Sequence, residues 1–208
     1  MDKILLIGGC GYIGSRLFQV LSDKHDVDSV DAEWYGNHIN KLNVVKDFGT
    51  LTKDELAPYD VVILLAGHSS VKMCVDNAIP TLKNNVVNFV NLLEKLDKKQ
   101  MFIYASSSSV YGDTKEKMVT EEYNQFEPNN YYDLSKHEID SYAKLSSTKY
   151  FGLRFGTVCG ASPNLRNDIM INAMTFNAIK NKKVFCFNPE VHRPILGIED
   201  LCAAIETI

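Results

Sequence analysis

The segment KILLIGGCGYIG, residues 3–14, decides the fold predicted for this chain. An apolar strand runs into Gly8-x-x-Gly11-x-x-Gly14, and an amphipathic helical pattern follows over residues 13–22. Gly8 and Gly11 permit a tight turn whose backbone N–H groups approach a pyrophosphate, and Gly14 lets the helix pack closely on the sheet. A glycine triplet alone also fits a generic turn, but this position between strand and helix favours dinucleotide binding.

Four more apolar runs follow the first strand and end in turn signals: VDSVD (27–31), DVVILLA (60–66), QMFIYA (100–105) and KYFGLRF (149–155). Continuous apolar strands are typical of a parallel sheet that is covered on both faces. Helical patterns lie between them, the longest over residues 80–98. The sequence therefore predicts an α/β fold: a Rossmann-like, doubly wound parallel sheet with helices on both faces.

Asp31 ends the second predicted strand, 20 residues after Gly11. A carboxylate at this place can accept hydrogen bonds from the adenosine ribose of a dinucleotide. The next two residues, Ala32 and Glu33, bring no cation for a 2′-phosphate, so NAD is favoured over NADP. The alternative is an ordinary solvated acid at a strand end.

The composition excludes several classes of function. The net charge is −4 and the pI about 5.7, so nothing indicates a nucleic-acid or anionic-membrane partner. The five cysteines form no C-x-x-C pair and the five histidines show no ligand spacing, which predicts no metal site and a reducing compartment. No run approaches about 18 apolar residues, the length of a membrane-spanning helix. We expect a soluble, cytoplasmic protein.

The segment YYDLSK, residues 131–136, carries a candidate proton-transfer pair. Tyr132 and Lys136 are four residues apart, which places both side chains on one face of a helix. A nearby ammonium stabilises a phenolate and lowers the phenol pKa from about 10 toward neutrality. A Tyr-x-x-x-Lys match is common by chance, and Tyr131, without a lysine at that spacing, is expected to pack.

These motifs, together with LLAG (64–67), NNV (84–86) and ASSSSVYG (105–112), resemble the extended short-chain dehydrogenase/reductases. More narrowly, the chain resembles the NAD-dependent nucleotide-sugar epimerase/dehydratase family. LRFGTVCGASP (153–163) and HRPILGIEDLCAAI (192–205) are similar to later segments of that family. The resemblance spans essentially the whole chain.

The resemblance implies catalytic roles for three residues. Tyr132 corresponds to the general base, Lys136 to its partner that also holds the nicotinamide ribose, and Ser107 to the catalytic hydroxyl. Ser108 and Ser109 stand where related 4,6-dehydratases carry Asp-Glu, which disfavours dehydration and favours epimerisation or simple redox chemistry. Asp133 replaces a usually small residue, and it either perturbs Lys136 or points to water.

The resemblance also implies binding residues for the cofactor and the substrate. The cofactor set is Gly8, Gly11, Tyr12, Ile13, Gly14, Asp31, Asp47, Phe48, Leu65, Ala66, Gly67, Asn85, Tyr132 and Lys136. The substrate candidates are Ser107, Thr157, Asn172 and Arg193, of which Arg193 could equally be a surface arginine.

The expected organisation is an NAD-binding Rossmann domain over residues 1–155 and a truncated C-terminal substrate region over residues 156–208, since family members continue further. The expected function is NAD-dependent epimerisation of a nucleotide-diphosphate sugar through a transient 4-keto intermediate. A nucleotide-sugar dehydrogenase or reductase would use the same residues. A shortened NAD-binding protein without turnover is the remaining alternative. A homodimer through the two long helices is the expected assembly.

Overall fold

The fold is built on a sheet of six parallel strands. A computed structural model describes residues 2–41, 43–115, 118–123 and 125–208. The sheet strands are β1 (Lys3–Ile7), β2 (Asp26–Asp31), β3 (Asn43–Val45), β4 (Val61–Leu64), β5 (Met101–Ser107) and β6 (Lys149–Phe155). They lie in the order β3-β2-β1-β4-β5-β6, and every neighbouring pair is parallel. The predicted Rossmann-like sheet is confirmed.

Helices connect the strands and cover both faces of the sheet. They are α1 (Tyr12–Ser22), α2 (Lys53–Leu56), α3 (Val71–Asp76), α4 (Ala78–Thr81), α5 (Asn88–Leu93), α6 (Tyr131–Ala143), α7 (Met170–Asn181) and α8 (Ile198–Thr207). A π-helical stretch, Leu82–Val87, joins α4 to α5. In place of the helix predicted over 80–98, the structure has one continuous helical segment from Ala78 to Leu93 with an irregular centre.

The alternation of side chains along β1 between the two faces of the sheet explains why its last four residues, Ile4 to Ile7, are all apolar. Leu5 and Ile7 pack into a core that includes Phe89 of α5 and Ile139 of α6. Ile4 and Leu6 face the other side, into a core that contains residues of α1 and α8. Successive side chains of a strand point to opposite faces, so a strand covered on both sides must be apolar at every position.

The last part of the chain is anchored on the α1 side of the sheet. Strands β7 (Thr157–Cys159) and β8 (Ile195–Gly197) form a separate parallel pair. Leu201 of helix α8 and Leu17 of α1 belong to the same hydrophobic core. Arg16 also donates to both carboxylate oxygens of Glu199, at 2.9 and 2.8 Å. The division at residue 155 into two domains stays a prediction.

Among the described residues, no helix is both long and apolar enough to cross a bilayer.

Candidate active site

A cleft of about 1070 Å³ opens at the carboxyl ends of the sheet strands. It lies where the strand order reverses, with β2 on one side of β1 and β4 on the other. Ligands of doubly wound sheets bind at this switch point, because the connections diverge there and leave a crevice. Most of the predicted site residues line this cleft.

The glycine loop shapes the floor of the cleft at the start of α1. Gly8 has a φ of +91°, a conformation that favours glycine, and its N–H donates to Val30 O at 2.8 Å. A Cβ on Gly14 would lie 2.0 Å from Gly8 O, so only glycine fits there. No side chain of the described residues caps the N-terminus of α1. Its free N–H groups and positive dipole end fit a pyrophosphate.

Asp31 lines the cleft at the end of β2. Its Oδ2 accepts from Cys10 N at 3.0 Å and its Oδ1 from Glu33 N at 2.8 Å. These bonds fix the carboxylate, and each oxygen keeps a second lone pair for a ribose hydroxyl. Asp31 therefore fits the role that the sequence predicts.

The remaining cofactor candidates divide into those that line the cleft and one that supports it. Tyr12, Ile13, Asp47, Phe48, Leu65, Ala66 and Gly67 line the cleft. Asn85 lies outside the lining: it accepts from His68 N at 2.8 Å and donates to Ser135 Oγ at 3.1 Å. It therefore ties the loop after β4 to helix α6.

Ser107, Tyr132 and Lys136 meet at the carboxyl end of β5. Ser107 is the last residue of β5, and the other two lie on one face of α6. Lys136 Nζ donates to Ala105 O at 2.6 Å and lies 5.9 Å from the Tyr132 ring centroid. The Ser107 side chain lies close enough to the Tyr132 phenol to lower its pKa, against the effect of burial. The structure thus brings the three predicted catalytic residues together.

Burial disfavours the charged form of both members of the Tyr132/Lys136 pair. Burial lowers the pKa of Lys136 from 10.5 to about 8, although the charge of Asp140 acts in the opposite direction. Burial also raises the pKa of Tyr132, against the effect of its hydrogen bond with Ser107 and of the Arg166 charge. A phenolate at Tyr132 therefore needs a neighbouring positive charge.

Arg166 is a site residue that the sequence reading missed. Its Nε donates to Asp168 Oδ1 at 3.0 Å and its Nη1 to Ser69 Oγ at 3.0 Å. It lines the cleft, and its charge favours the Tyr132 phenolate. Its one sequence signal was the pair of opposite charges in LRND, residues 165–168, after the last sheet strand.

The predicted substrate residues fall into two groups. Thr157 and Arg193 line the cleft beside Ser107. Asn172 lies outside the lining, and its amide is engaged by backbone and by Tyr12: it accepts from Gly160 N at 3.1 Å and donates to Tyr12 Oη at 3.2 Å. Asn172 therefore holds the segment after β7 against α1.

Within the ranges that the structure describes, no group of three or more His, Cys, Asp or Glu side chains is arranged to hold a metal ion.

The fold and the cleft define a dinucleotide-binding protein of the short-chain dehydrogenase/reductase type. The chain matches the NAD dependent epimerase/dehydratase family over residues 4–208, and it belongs to that family. The resemblance recognised in the sequence is confirmed, and so are the NAD dependence and the enzyme class at the level of the family.

Two curated relatives illustrate the match. Protein CapI of Staphylococcus aureus is 29% identical over 231 residues, covering 99% of this chain and 69% of the relative. A UDP-glucose 4-epimerase of Mycoplasma genitalium is 30% identical over 183 residues, covering 76% of this chain. The match covers 53% of that epimerase, so this chain spans about half its length.

Two solved structures share the fold. A UDP-N-acetylglucosamine 4-epimerase from Methanobrevibacter ruminantium aligns with a TM-score of 0.86 at 23% identity, over 98% of this chain and 71% of that one. A UDP-glucuronic acid 4-epimerase from Bacillus cereus, in complex with UDP-glucuronic acid and NAD, aligns with a TM-score of 0.81 at 25% identity. That alignment covers 98% of this chain and 73% of the epimerase.

Proposed function

We propose that this chain is an NAD-dependent epimerase of a nucleotide-diphosphate sugar that works through a transient 4-keto intermediate. The observation that carries the proposal is the convergence of Ser107, Tyr132 and Lys136 on a cleft whose floor is the glycine loop. The relatives' names support the class of substrate, because they include epimerases of UDP-glucose and UDP-glucuronic acid.

Cofactor binding is assigned to the end of the cleft at β1 and β2. The N-terminus of α1 would hold the pyrophosphate and Asp31 the adenosine ribose. Glu33 accepts from Asn43 Nδ2 at 3.2 Å, which keeps a carboxylate near the ribose position. That negative charge would repel a 2′-phosphate, and this supports NAD over NADP.

The proton chemistry is assigned to the β5 end of the cleft. NAD, when bound, would supply the hydride acceptor and donor that oxidation and re-reduction at C4 of the sugar require. Ser107 would hold the 4-hydroxyl, and Tyr132 would take its proton as the hydroxyl becomes a ketone. Lys136 would stabilise the phenolate, since burial makes an isolated charge costly and a charge pair less so.

The alternatives differ in the fate of the hydride. A dehydrogenase or reductase would use the same three residues without returning the hydride. A binding protein without turnover would need only the glycine loop and Asp31. Ser108 and Ser109, which form a 3-10 turn with Val110 and Tyr111 after β5, offer hydroxyls where dehydration needs carboxylates. These hydroxyls therefore disfavour dehydration and support epimerisation or simple redox chemistry.

The test is an incubation of the NAD-loaded protein with UDP-glucose, UDP-galactose, UDP-glucuronic acid, UDP-N-acetylglucosamine and dTDP-glucose, followed by chromatography and absorbance at the NADH band. We expect one pair of C4 epimers to interconvert. Tyr132→Phe should lower kcat by about 100-fold or more, with NAD affinity within about threefold. Tyr131→Phe is the matched control, since Tyr131 is 43% exposed at the preceding position.

Other outcomes would decide between the alternatives. Accumulation of NADH without a new epimer would indicate a dehydrogenase. If no sugar is converted and none reduces the bound NAD, the proposed enzyme is refuted. The homodimer, the cytoplasmic location and the substrate role of residues 156–208 belong to the same proposal. Analytical ultracentrifugation tests the homodimer.

A further inference from the structure

The Ser107 oxygen is fully used as a hydrogen-bond acceptor by its own turn. Ser109 N donates to it at 3.2 Å and Ser109 Oγ donates to it at 2.9 Å. A hydroxyl oxygen has two lone pairs, so these two bonds leave none for a ligand. In this arrangement the Ser107 hydroxyl can donate its own proton toward the neighbouring Tyr132 phenol. It cannot accept a hydrogen bond from a sugar hydroxyl.

Asp133 offers the Ser109 hydroxyl a second acceptor. Its carboxylate is 7% exposed, lines the cleft and accepts from Asn130 Nδ2 at 2.7 Å. The Ser109 side chain also lines the cleft and lies close enough to Asp133 to lower the pKa of its carboxyl. The Ser109 hydroxyl has one proton and therefore donates to Ser107 or to Asp133, not fully to both.

Resting on the proposed function, we propose that Asp133 is a positioning residue for Ser107. Its carboxylate draws the proton of the Ser109 hydroxyl away from the Ser107 oxygen, and the freed lone pair accepts the hydrogen bond of the sugar hydroxyl. The proton of that hydroxyl then passes to the Ser107 oxygen while the Ser107 proton passes to the Tyr132 phenolate. The sugar oxygen loses one proton, the Tyr132 oxygen gains one, and the Ser107 oxygen does both, so Ser107 is unchanged at the end.

The charge of Asp133 also acts on groups from other elements, and the test must separate these effects. Burial raises the pKa of Asp133, whereas Ser109, Asn130 and the charge of Arg193 act in the opposite direction. Its negative charge in turn raises the pKa of Cys74 on α3. It acts in the same direction on its neighbour Tyr132. Substitutions at Ser109 remove the competition and leave these charges in place.

The first experiment is a carbon-13 NMR titration of the Asp133 carboxyl in the NAD-loaded protein, with the resonance assigned by its loss in Asp133→Asn. Ser109→Ala should raise the pKa of Asp133 by about half a unit or more, because the carboxylate loses a donor. Ser107→Ala should lower it, because Ser109 then donates to Asp133 alone. An Asp133 that only caps the helix would respond to neither change. Equal or absent responses overturn the proposal.

The second experiment is kinetic and uses a substrate identified by the panel above. Asp133→Asn should lower kcat about 5- to 10-fold, the effect of one hydrogen bond, with KM within about twofold. The double variant Asp133→Asn/Ser109→Ala should have a kcat within about twofold of that of Ser109→Ala alone. The reason is that no Ser109 hydroxyl remains to occupy the Ser107 oxygen. Glu138→Gln, an exposed acid on the same helix, is the control and should leave kcat unchanged.

The outcomes of the two experiments are distinguishable. If the double variant is as slow as Asp133→Asn, Asp133 does not act through Ser109 and the proposal is refuted. If no nucleotide sugar is converted, the proposed function fails, and the titration still decides whether Asp133 and Ser107 compete for the Ser109 proton. The two pKa shifts are measured in Ser109→Ala and Ser107→Ala, which keep Asp133, and Asp133→Asn serves only to assign the resonance.

Discussion

Replacing Lys136 by Met should stabilise the cofactor-free chain near neutral pH while it disables the site. Burial lowers the pKa of Lys136 from 10.5 to about 8. That difference in pKa means that the charged Lys136 side chain lowers the free energy of unfolding by about 3 kcal/mol. Met fills a similar volume without charge, and loss of the 2.6 Å bond to Ala105 O costs about 1 kcal/mol. The expected net gain in the free energy of unfolding is about 2 kcal/mol at pH 7.

The stability advantage of Lys136→Met should decrease as the pH rises. Because the folded chain binds the Lys136 proton less tightly than the unfolded chain, unfolding takes up a proton between about pH 8 and pH 10.5. The penalty from Lys136 is therefore complete below about pH 8 and disappears as the pH rises to 10.5. The advantage of Lys136→Met should shrink over that same window.

The assay is urea unfolding at a series of pH values from 6.5 to about 10.5, with Lys144→Met as the control because Lys144 is exposed on the last turn of the same helix. NAD is added in a parallel series. Addition of NAD should stabilise the unaltered chain by more than it stabilises Lys136→Met, since that variant lacks the ribose contact. A Lys136→Met chain that is less stable than the unaltered chain at pH 7, or whose advantage is the same at pH 10, would refute this reasoning.

Two further substitutions test the parts of the cleft. Gly14→Ala places a Cβ 2.0 Å from Gly8 O and should weaken NAD binding, measured by calorimetry, about 100-fold. Gly11→Ala, whose Cβ would lie 3.3 Å from Gly8 O, should weaken NAD binding less. Equal NAD affinities of the two variants would contradict the close packing at Gly14. Asn172→Leu leaves Gly160 N without its acceptor and should lower the free energy of unfolding by about 2 kcal/mol in urea, and unchanged stability would argue against its anchoring role.

The fold could be predicted from the sequence because its signals are local. The strand–glycine–helix order in residues 3–14 and the four later apolar runs define parallel strands with helices between them. Each such segment must bury its apolar residues on both sides, and few arrangements of a parallel sheet allow that. The irregular centre of the helical segment at Leu82–Val87 was not predicted, because it depends on packing across the segment.

Part of the candidate site could be predicted because motif spacing places residues on one helix face or one strand end. Tyr132 and Lys136 are an example, and the structure brings them to the cleft with Ser107. Asn85 and Asn172 behave differently: each is polar and close to the cleft, yet its amide is used to join two segments. Sequence cannot distinguish a polar group that faces a ligand from one that satisfies backbone groups.

The sequence by itself determined the order of strands and helices, the glycine loop and the Tyr132/Lys136 spacing, since all of these follow from short-range periodicity. Only the tertiary structure decided that Arg166 and Asp133 both line the cleft together with Ser107. The physical reason is that parallel strands gather their carboxyl ends at one edge, where segments far apart in the chain meet. Hydrogen bonds and charges between such segments depend on distances that no local pattern encodes.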